Sequence, residues 1–547
     1  MPYVVRSLGV VVGVVVLLLT STSAWARERP EPPQRVLIVV LDQLRPDYVD
    51  KFDMRNVKAL MRDGTSFDNA YLGHMASETV ISHNVITSGQ LPRDMGWADE
   101  VYRDSDNVLG AGADSMWISG SFSRAQFNTL IAHGGYAKLA DYLHAAHPGT
   151  KFIAAGQKNY AVYSANGPTG DISVTFSSRN FDCDGDGVNN WRGPTGFNVP
   201  AYLSAPACGR YYVDSATSMS YGTATTSPAW MYPLDGNRFA PGFDAAHRGG
   251  DVWTADAGMA MMANEPWSGM LLTLGSIDKA SHMWGGITDD GTYAEGSQEE
   301  QAHLRFIAKT ADAQVGRIIQ RLRDLDQLDE TLVVLTTDHA GQPATHFNGV
   351  NQPGRSDNNW YYGATQNGTF LSPSPSLAPL IATGNVRFTY QDSAIRTWLT
   401  DTSAAAKTSA ANVMATLPDV IATYRLDGRR YRLVRANVGA MSRSELVYWA
   451  QHGQEIVDTM AAPYSADVVG LLRDDTSYGV AGDHGGAQRP VQEIPIVFAG
   501  AGVGSRDSQY PLRSVDILPT ILRKLGIAAR PGLDGKAVTL PTEGRDR

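Results

Sequence analysis

Residues 36–42 read Val-Leu-Ile-Val-Val-Leu-Asp. An unbroken apolar run that ends in a carboxylate predicts a core strand with Asp42 just past its C-terminal end. The same arrangement recurs along the chain. MLLTLG (270–275) leads into SIDKASH, which carries Asp278 and His282. TLVVLT (331–336) leads into Thr337, Asp338, His339 and Ala340, and GDHGG (482–486), with His484, precedes IPIVFAG. Thr79, in SETVISHNVITSG, stands at the start of a predicted helix. Open α/β sheets bind ligands outside the carboxyl ends of their strands. These residues, distant in sequence, are therefore expected to converge at one sheet edge. Three Asp, three His and a Thr hydroxyl there suggest two hard or borderline metal ions flanking a nucleophile.

The ordered set Asp, Thr, Asp-x-x-x-His, Asp-His, His resembles the alkaline phosphatase superfamily. Within it, the set is most similar to the type I phosphodiesterase/nucleotide pyrophosphatase branch and its threonine-nucleophile phosphatase relatives. That branch's nucleophile segment reads roughly T-F-P-N-H-Y-x-x-x-T-G-x-x-P-x-x-H-G. Here Thr79-Val80-Ile81-Ser82-His83, Ser88-Gly89-Gln90-Leu91-Pro92 and Met95-Gly96 keep its Gly, Pro and Gly spacing. Val-Ile-Ser replaces Phe-Pro-Asn, and Ala340 replaces the Gly of Asp-His-Gly. The closing run SVDILPTILRKLGI…PGLDGKAV is also similar.

The resemblance implies an alkaline-phosphatase-like three-layer α/β sandwich with a mostly parallel central sheet and inserted cap segments. It assigns Asp278, His282 and His484 to one Zn²⁺ with an open position, and Asp42, Thr79, Asp338 and His339 to a second. Thr79 becomes the nucleophile, its hydroxyl acidified by metal and oriented at a helix N-terminus. Lys158, after the predicted strand Lys151–Ala155, resembles the Lys of a Lys-x-Arg pair in monoesterase members, with Tyr160 at the Arg position. Glu100 falls near an Asn that donates to a phosphoryl oxygen in relatives, a contact a carboxylate does not make. Asp47 reads as a structural carboxylate, and Ser77 as unrelated to catalysis. A phosphodiester or nucleotide pyrophosphate is the first substrate class implied, and a phosphomonoester the alternative. A noncatalytic binding protein on the same fold is a weaker third reading. No Cys-x-Pro-x-Arg or Ser-x-Pro-x-Arg is present, so a sulfatase is disfavoured.

Bulk properties agree with a small phosphoester as partner. The chain has 547 residues and a formal charge of −10. Such a charge argues against stable nucleic-acid or anionic-membrane binding. Arg6, the apolar stretch Leu8 to Leu19 and Ala24-Trp25-Ala26 read as a Sec-type signal peptide over 1–26, implying a secreted or periplasmic protein without a later membrane span. Residues 27–34 read as a flexible terminus, and 35–345 with 463–540 as the catalytic core. A loop-rich cap insertion is expected over 164–243 and a second insertion over 346–462. Apolar residues at three-to-four spacing predict a long helix over 301–325, and the pattern predicts another over Tyr136–Ala146. Cys183 and Cys208 are the two cysteines, and in an exported chain they invite one disulfide. Asp182, Asp184 and Asp186 have the D-x-D-x-D-G spacing of the first half of an EF-hand Ca²⁺ loop, with Gly193 in place of the final Glu. An acidic Gly-rich turn is the other reading of that stretch.

Overall fold

The strand Arg35–Leu41 sits at the centre of a nine-stranded mixed sheet because it is apolar on both faces. Val36, Ile38 and Val40 pack on one side against Leu139, Leu143, Leu518 and Ile521. Leu37, Val39 and Leu41 pack on the other against Tyr48, Phe52, Ala311, Val315 and Ile318. The computed structural model describes residues 1, 32–176, 194–203, 249–284, 298–342, 345–347, 350–352, 359–479 and 482–542. The described residues from Pro32 onward form one compact unit.

Across the sheet the order is Arg506–Ser508, Thr65–Phe67, Ile496–Ala499, Thr331–Thr336, Arg35–Leu41, Trp267–Leu274, Lys151–Gly156, Ile172–Phe176 and Pro194–Phe197. The run from Thr331–Thr336 to Ile172–Phe176 is parallel throughout. Register brings the functional strand ends level. Val40 pairs with both Thr273 and Thr336, and Gly156 pairs with Thr273. Two residues beyond these positions lie Asp42, Asp338 and Lys158.

A second sheet of seven strands, all paired antiparallel, occupies residues 361–472. It includes Val468–Leu472, which the sequence places in the resumed core. That strand pairs instead with Ala394–Leu399 and Val420–Asp427. A central antiparallel strand buried on both faces carries the same continuous apolar run as a parallel one, so the pattern does not separate them. The predicted cap over 164–243 also begins too early. Asn159–Asn166 is a helix, and Ile172–Phe176 and Pro194–Phe197 belong to the main sheet. Ser173 and Thr175 are buried in that strand, and Ser173 accepts a hydrogen bond from Asn166 Nδ2 at 2.6 Å. These buried hydroxyls hide the strand from an apolar-run reading. The predicted helix from Tyr136 starts at Leu139, because Asp141 Oδ2 accepts the Lys138 N–H and holds Lys138 extended. The long helix spans Gln298–Asp324. The signal segment 2–26, Cys183, Cys208 and the Asp182, Asp184, Asp186 loop lie outside the described residues.

One buried acid outside the sheet edge is informative. Asp251, in the helix Gly249–Asn264, accepts the Ser276 N–H at 3.2 Å and is fully buried. Burial pushes its carboxyl up to about 7. The fold therefore disfavours its ionised form, a cost absent below the ordinary value of 3.8 and complete above about 7. Asp251→Asn keeps an acceptor for Ser276 and cannot ionise. Its melting temperature relative to the parent should rise between pH 5 and pH 8. A difference that stays flat across that range contradicts this assignment.

Candidate metal centre

The helix Thr79–Ser88 begins at the C-terminal edge of the parallel strands, where its first residue meets His339 and Lys158. Its N-cap residue, Glu78, makes no side-chain capping bond, so the orphan N–H groups of the first turn lack that partner. Thr79 Oγ1 lies 3.4 Å from His339 Nε2 and accepts a hydrogen bond from Lys158 Nζ at 3.0 Å. The Lys158 ammonium is also 2.7 Å from Asp42 Oδ2 and 2.8 Å from Asp278 Oδ2.

Asp42 and Asp338 leave their strands where regular pairing stops, at Leu41 and Thr336. Asp338 Oδ1 accepts the backbone N–H of Gln43 at 3.3 Å and that of His339 at 3.1 Å. Departure from strand geometry lets Asp338 and His339, adjacent in sequence, face the same space: His339 Nε2 is 3.6 Å from Asp338 Oδ2 and 3.7 Å from Asp42 Oδ1. Asp278 and His282 lie one turn apart in the helix Ser276–Trp284, with His282 Nε2 3.1 Å from Asp278 Oδ1. His484 Nε2 approaches the same oxygen at 3.4 Å.

Two clusters follow from this geometry. Ligand atoms of Asp278, His282 and His484 lie within 4.8 Å of one another, as do those of Asp42, Asp278 and His339. Asp278 is common to both. Thr79 and Asp338 stand beside the second cluster through His339. All seven residues highlighted in the sequence thus meet at one edge, with Lys158 among them.

The histidines are oriented from behind. His484 Nδ1 faces the Ser77 carbonyl at 3.1 Å, and His339 Nδ1 faces the Ala340 carbonyl at 3.2 Å. Each Nδ1 can donate there, leaving Nε2 for the carboxylate side. Their rings stack at 3.7 Å between centroids.

The electrostatics are those of a crowded anionic site. Burial, with Asp338 next to it, raises the Asp42 carboxyl well above its ordinary value. Burial acts the same way on Asp278, but Lys158 and His282 outweigh it and hold that carboxyl well below. Burial also pulls Lys158 down, yet Asp278 and Asp42 leave its ammonium raised well above normal. His339 is lowered well below 6.5 by burial, which keeps the imidazole neutral as a ligand must be. Burial opposes the protonation of His484, but Asp278 overrides it and lifts the group to about 9.

Other residues take supporting places. Asp47 pairs with Arg45 at 2.9 Å and Lys51 at 2.6 Å, away from the cluster. Ser77 donates its hydroxyl to the Gly486 carbonyl at 3.1 Å. Glu100 accepts from the Tyr390 hydroxyl at 3.0 Å, and Tyr160 is half-buried, with desolvation raising its phenol to about 12. The sequence reading gave His83 no role. Its Nδ1 faces the Thr79 carbonyl at 2.8 Å, its Nε2 the Thr273 hydroxyl at 2.8 Å, and Asp338 Oδ2 lies 3.5 Å away. Its spacing of four from Thr79 on one helix was the available signal.

The sequence profile of the family described as type I phosphodiesterase / nucleotide pyrophosphatase matches residues 36–362. A calcium-transporting ATPase of Myroides odoratus is 28% identical over 123 residues, which is 22% of this chain and 20% of that protein. Alkaline phosphatase PhoK of a Sphingomonas species is 25% identical over 148 residues, 26% of each chain. The matched segments thus span about a fifth and a quarter of these two relatives. Wild-type alkaline phosphatase PafA shares the fold with a TM-score of 0.60 at 15% identity, over 93% of this chain and 98% of its own. Human ectonucleotide pyrophosphatase / phosphodiesterase 5 shares it with a TM-score of 0.52 at 10% identity, over 92% and 97%. With its profile match running through the Asp42, Thr79, Asp278, His282, Asp338 and His339 positions, the chain belongs to the type I phosphodiesterase / nucleotide pyrophosphatase family, and it shares the fold of alkaline phosphatase PafA.

Proposed function

We propose that this protein is an exported phosphoester hydrolase that holds two Zn²⁺ ions and uses the Thr79 hydroxyl as nucleophile. Its first substrate class is phosphodiesters or nucleotide pyrophosphates. The observation that carries the reading is the position of Thr79 Oγ1. It lies 3.4 Å from His339 and 3.0 Å from Lys158, whose ammonium touches a carboxylate of each ligand cluster.

The donor set fits divalent ions. Asp42, Asp278 and Asp338 are fully buried, and the Lys158 ammonium, 2.7 Å from Asp42 and 2.8 Å from Asp278, is a single charge set against three carboxylates. Buried carboxylates in excess of their cationic partners are costly unless a further cation compensates them. Mixed Asp and His ligands favour zinc over calcium or magnesium. Asp278, His282 and His484 would hold one ion, and Asp42, Thr79, Asp338 and His339 the other. Bound there, the ions would supply Lewis-acid polarisation of a phosphoryl oxygen and acidification of a coordinated hydroxyl.

The chain's own groups do the rest. The Thr79 helix begins at Thr79 without a side-chain cap on its first-turn N–H groups, which would favour phosphoryl charge gathering there. Lys158 donates to Thr79 Oγ1, which favours the alkoxide over the alcohol. The same lysine favours a second reading, a phosphomonoesterase, since its ammonium could pair with a nonbridging oxygen. Tyr160, a neutral phenol where monoesterase relatives have Arg, weighs the other way. The Leu8–Leu19 segment and Ala24-Trp25-Ala26 support export, and none of the described helices is long and apolar enough to cross a membrane.

Elemental analysis of chelator-free protein should find about two zinc ions per chain, and chelation should lower the melting temperature, because ions bound only to the fold stabilise it. Calcium as the sole metal would refute the zinc assignment. The function is tested by comparing kcat/KM for bis(4-nitrophenyl) phosphate and 4-nitrophenyl phosphate. A ratio favouring the diester supports the first reading, and the reverse supports the second. Thr79→Ala should lower turnover about 10³-fold or more while leaving the fold intact, whereas Thr79→Ser should retain much more activity. An alanine variant that hydrolyses at the parental rate sinks the nucleophile assignment. Zinc-loaded parent without turnover on either ester would leave the noncatalytic binding reading.

A further inference from the structure

Arg396 is fully buried in the strand Ala394–Leu399 of the second sheet and carries no metal-ligand chemistry of its own. Its guanidinium nevertheless reaches both halves of the candidate site. Nη2 donates to Glu78 Oε1 and to Asp392 Oδ2, each at 2.6 Å. Nη1 donates to the Gly485 carbonyl, and Nε lies 2.9 Å from Asp99 Oδ2. Glu78 immediately precedes Thr79, and Gly485 immediately follows His484. One planar fork thus joins the segment of the hydroxyl to the segment of the imidazole.

Each joined segment is held from a second side. Glu78 Oε2 accepts the Glu100 N–H at 3.1 Å, so both its oxygens are engaged by tertiary partners rather than by the helix it precedes. The Tyr390 ring covers the guanidinium at 4.2 Å. On the other segment, the Ser393 N–H donates to the His484 carbonyl at 2.9 Å. Gly485 has φ 91° and no room for a side chain: a Cβ would stand 1.7 Å from Asp392 Oδ2. The loop after His484 is therefore pressed against the second sheet at a position where only glycine fits.

Burying one guanidinium among Glu78, Asp392 and Asp99 is a poor device for stability alone, since apolar replacements of buried ion clusters often match or exceed them. A forked, planar group does fix the spacing of its acceptors, which a lysine point charge does not. Resting on the reading of Thr79 as nucleophile and His484 as zinc ligand, we propose that Arg396 is the positioning residue that sets the separation of these two groups. The second sheet is then a wall of the active site and not a cover inserted over it.

The test compares zinc-loaded parent with Arg396→Lys, Glu78→Gln and a control, Arg103→Lys. Arg103 makes a buried ion pair with Asp467, whose carboxylate also accepts the Leu399 N–H at the end of the strand of Arg396. Arg396→Lys should lower kcat on bis(4-nitrophenyl) phosphate by about 10–100-fold, and weaken zinc binding in competition with a chromophoric chelator by a similar factor. Its KM should stay within about 3-fold, the mark of lost transition-state geometry rather than lost substrate binding. Glu78→Gln should move both readouts in the same direction. Arg103→Lys should lower the melting temperature and leave kcat and zinc affinity parental. Parental kcat and zinc affinity in Arg396→Lys overturn the proposal, as does an equal loss in Arg103→Lys. If the lysine variant does not fold, parental values in Glu78→Gln overturn it. A parent inactive on every phosphoester overturns the reading of the site instead, and the zinc-affinity comparison still decides the role of Arg396.

Discussion

Asp42, Asp278 and Asp338 are fully buried at one sheet edge, and the Lys158 ammonium lies 2.7 Å from the first and 2.8 Å from the second. Like charges brought this close repel, and burial removes the water that would screen them. The surroundings answer the strain in specific ways. Asp338 takes two backbone N–H groups, Asp278 takes two imidazoles and the lysine, and Asp42 is left with a raised carboxyl pKa. Such an edge is assembled at an energetic cost, so rigid elements must hold it. The level register of Arg35–Leu41, Trp267–Leu274, Thr331–Thr336 and Lys151–Gly156 does this, because each strand is buried on both faces and cannot slip without exposing its apolar side chains.

Orientation comes from the backbone. His339 and His484 each face a carbonyl with Nδ1, and His83 faces the carbonyl of Thr79 itself. Imidazoles tied in this way present one nitrogen in one direction, which a divalent cation needs and a loose side chain does not supply. The stacked pair His339 and His484 brings together two loops nearly 150 positions apart, as a comparison of their numbers shows. The proton that Asp278 holds on His484 competes with any cation for the same nitrogen, so metal binding there should release it.

Much of this was legible in the chain. Apolar runs ending in Asp or His mark the parallel strands because those strands are buried on both faces, and their ends are where open α/β sheets place chemistry. Lys158 was readable from the same logic, lying two residues past Gly156. Ile172–Phe176 was not, because its buried Ser173 and Thr175 look like loop residues until Asn166 is seen to satisfy Ser173. Val468–Leu472 was readable as a strand but not as a member of the second sheet, since pairing partners are not written in a local pattern. Arg396 was hidden for a deeper reason. A lone Arg between Ile395 and Thr397 reads as the polar face of an edge strand, and only the three-dimensional arrangement shows it buried among Glu78, Asp392 and Gly485.

That last case changes how the second sheet is understood. An insertion that only covers a site can vary freely as long as it excludes water. One whose arginine is hydrogen-bonded beside Thr79 and beside the His484 loop cannot, because the loop at Gly485 leaves no space for an added carbon atom. The segments of Thr79 and His484 are then tied to the second sheet by charge-assisted hydrogen bonds of Arg396. Such bonds depend on geometry more steeply than apolar packing does. A small shift of Ala394–Leu399 would therefore move Glu78 and Gly485 together, and Thr79 and His484 with them. On this reading the geometry of the site is set in two places: at the strand ends, which would supply the ligands, and along the second sheet, which fixes how far apart Thr79 and His484 stand.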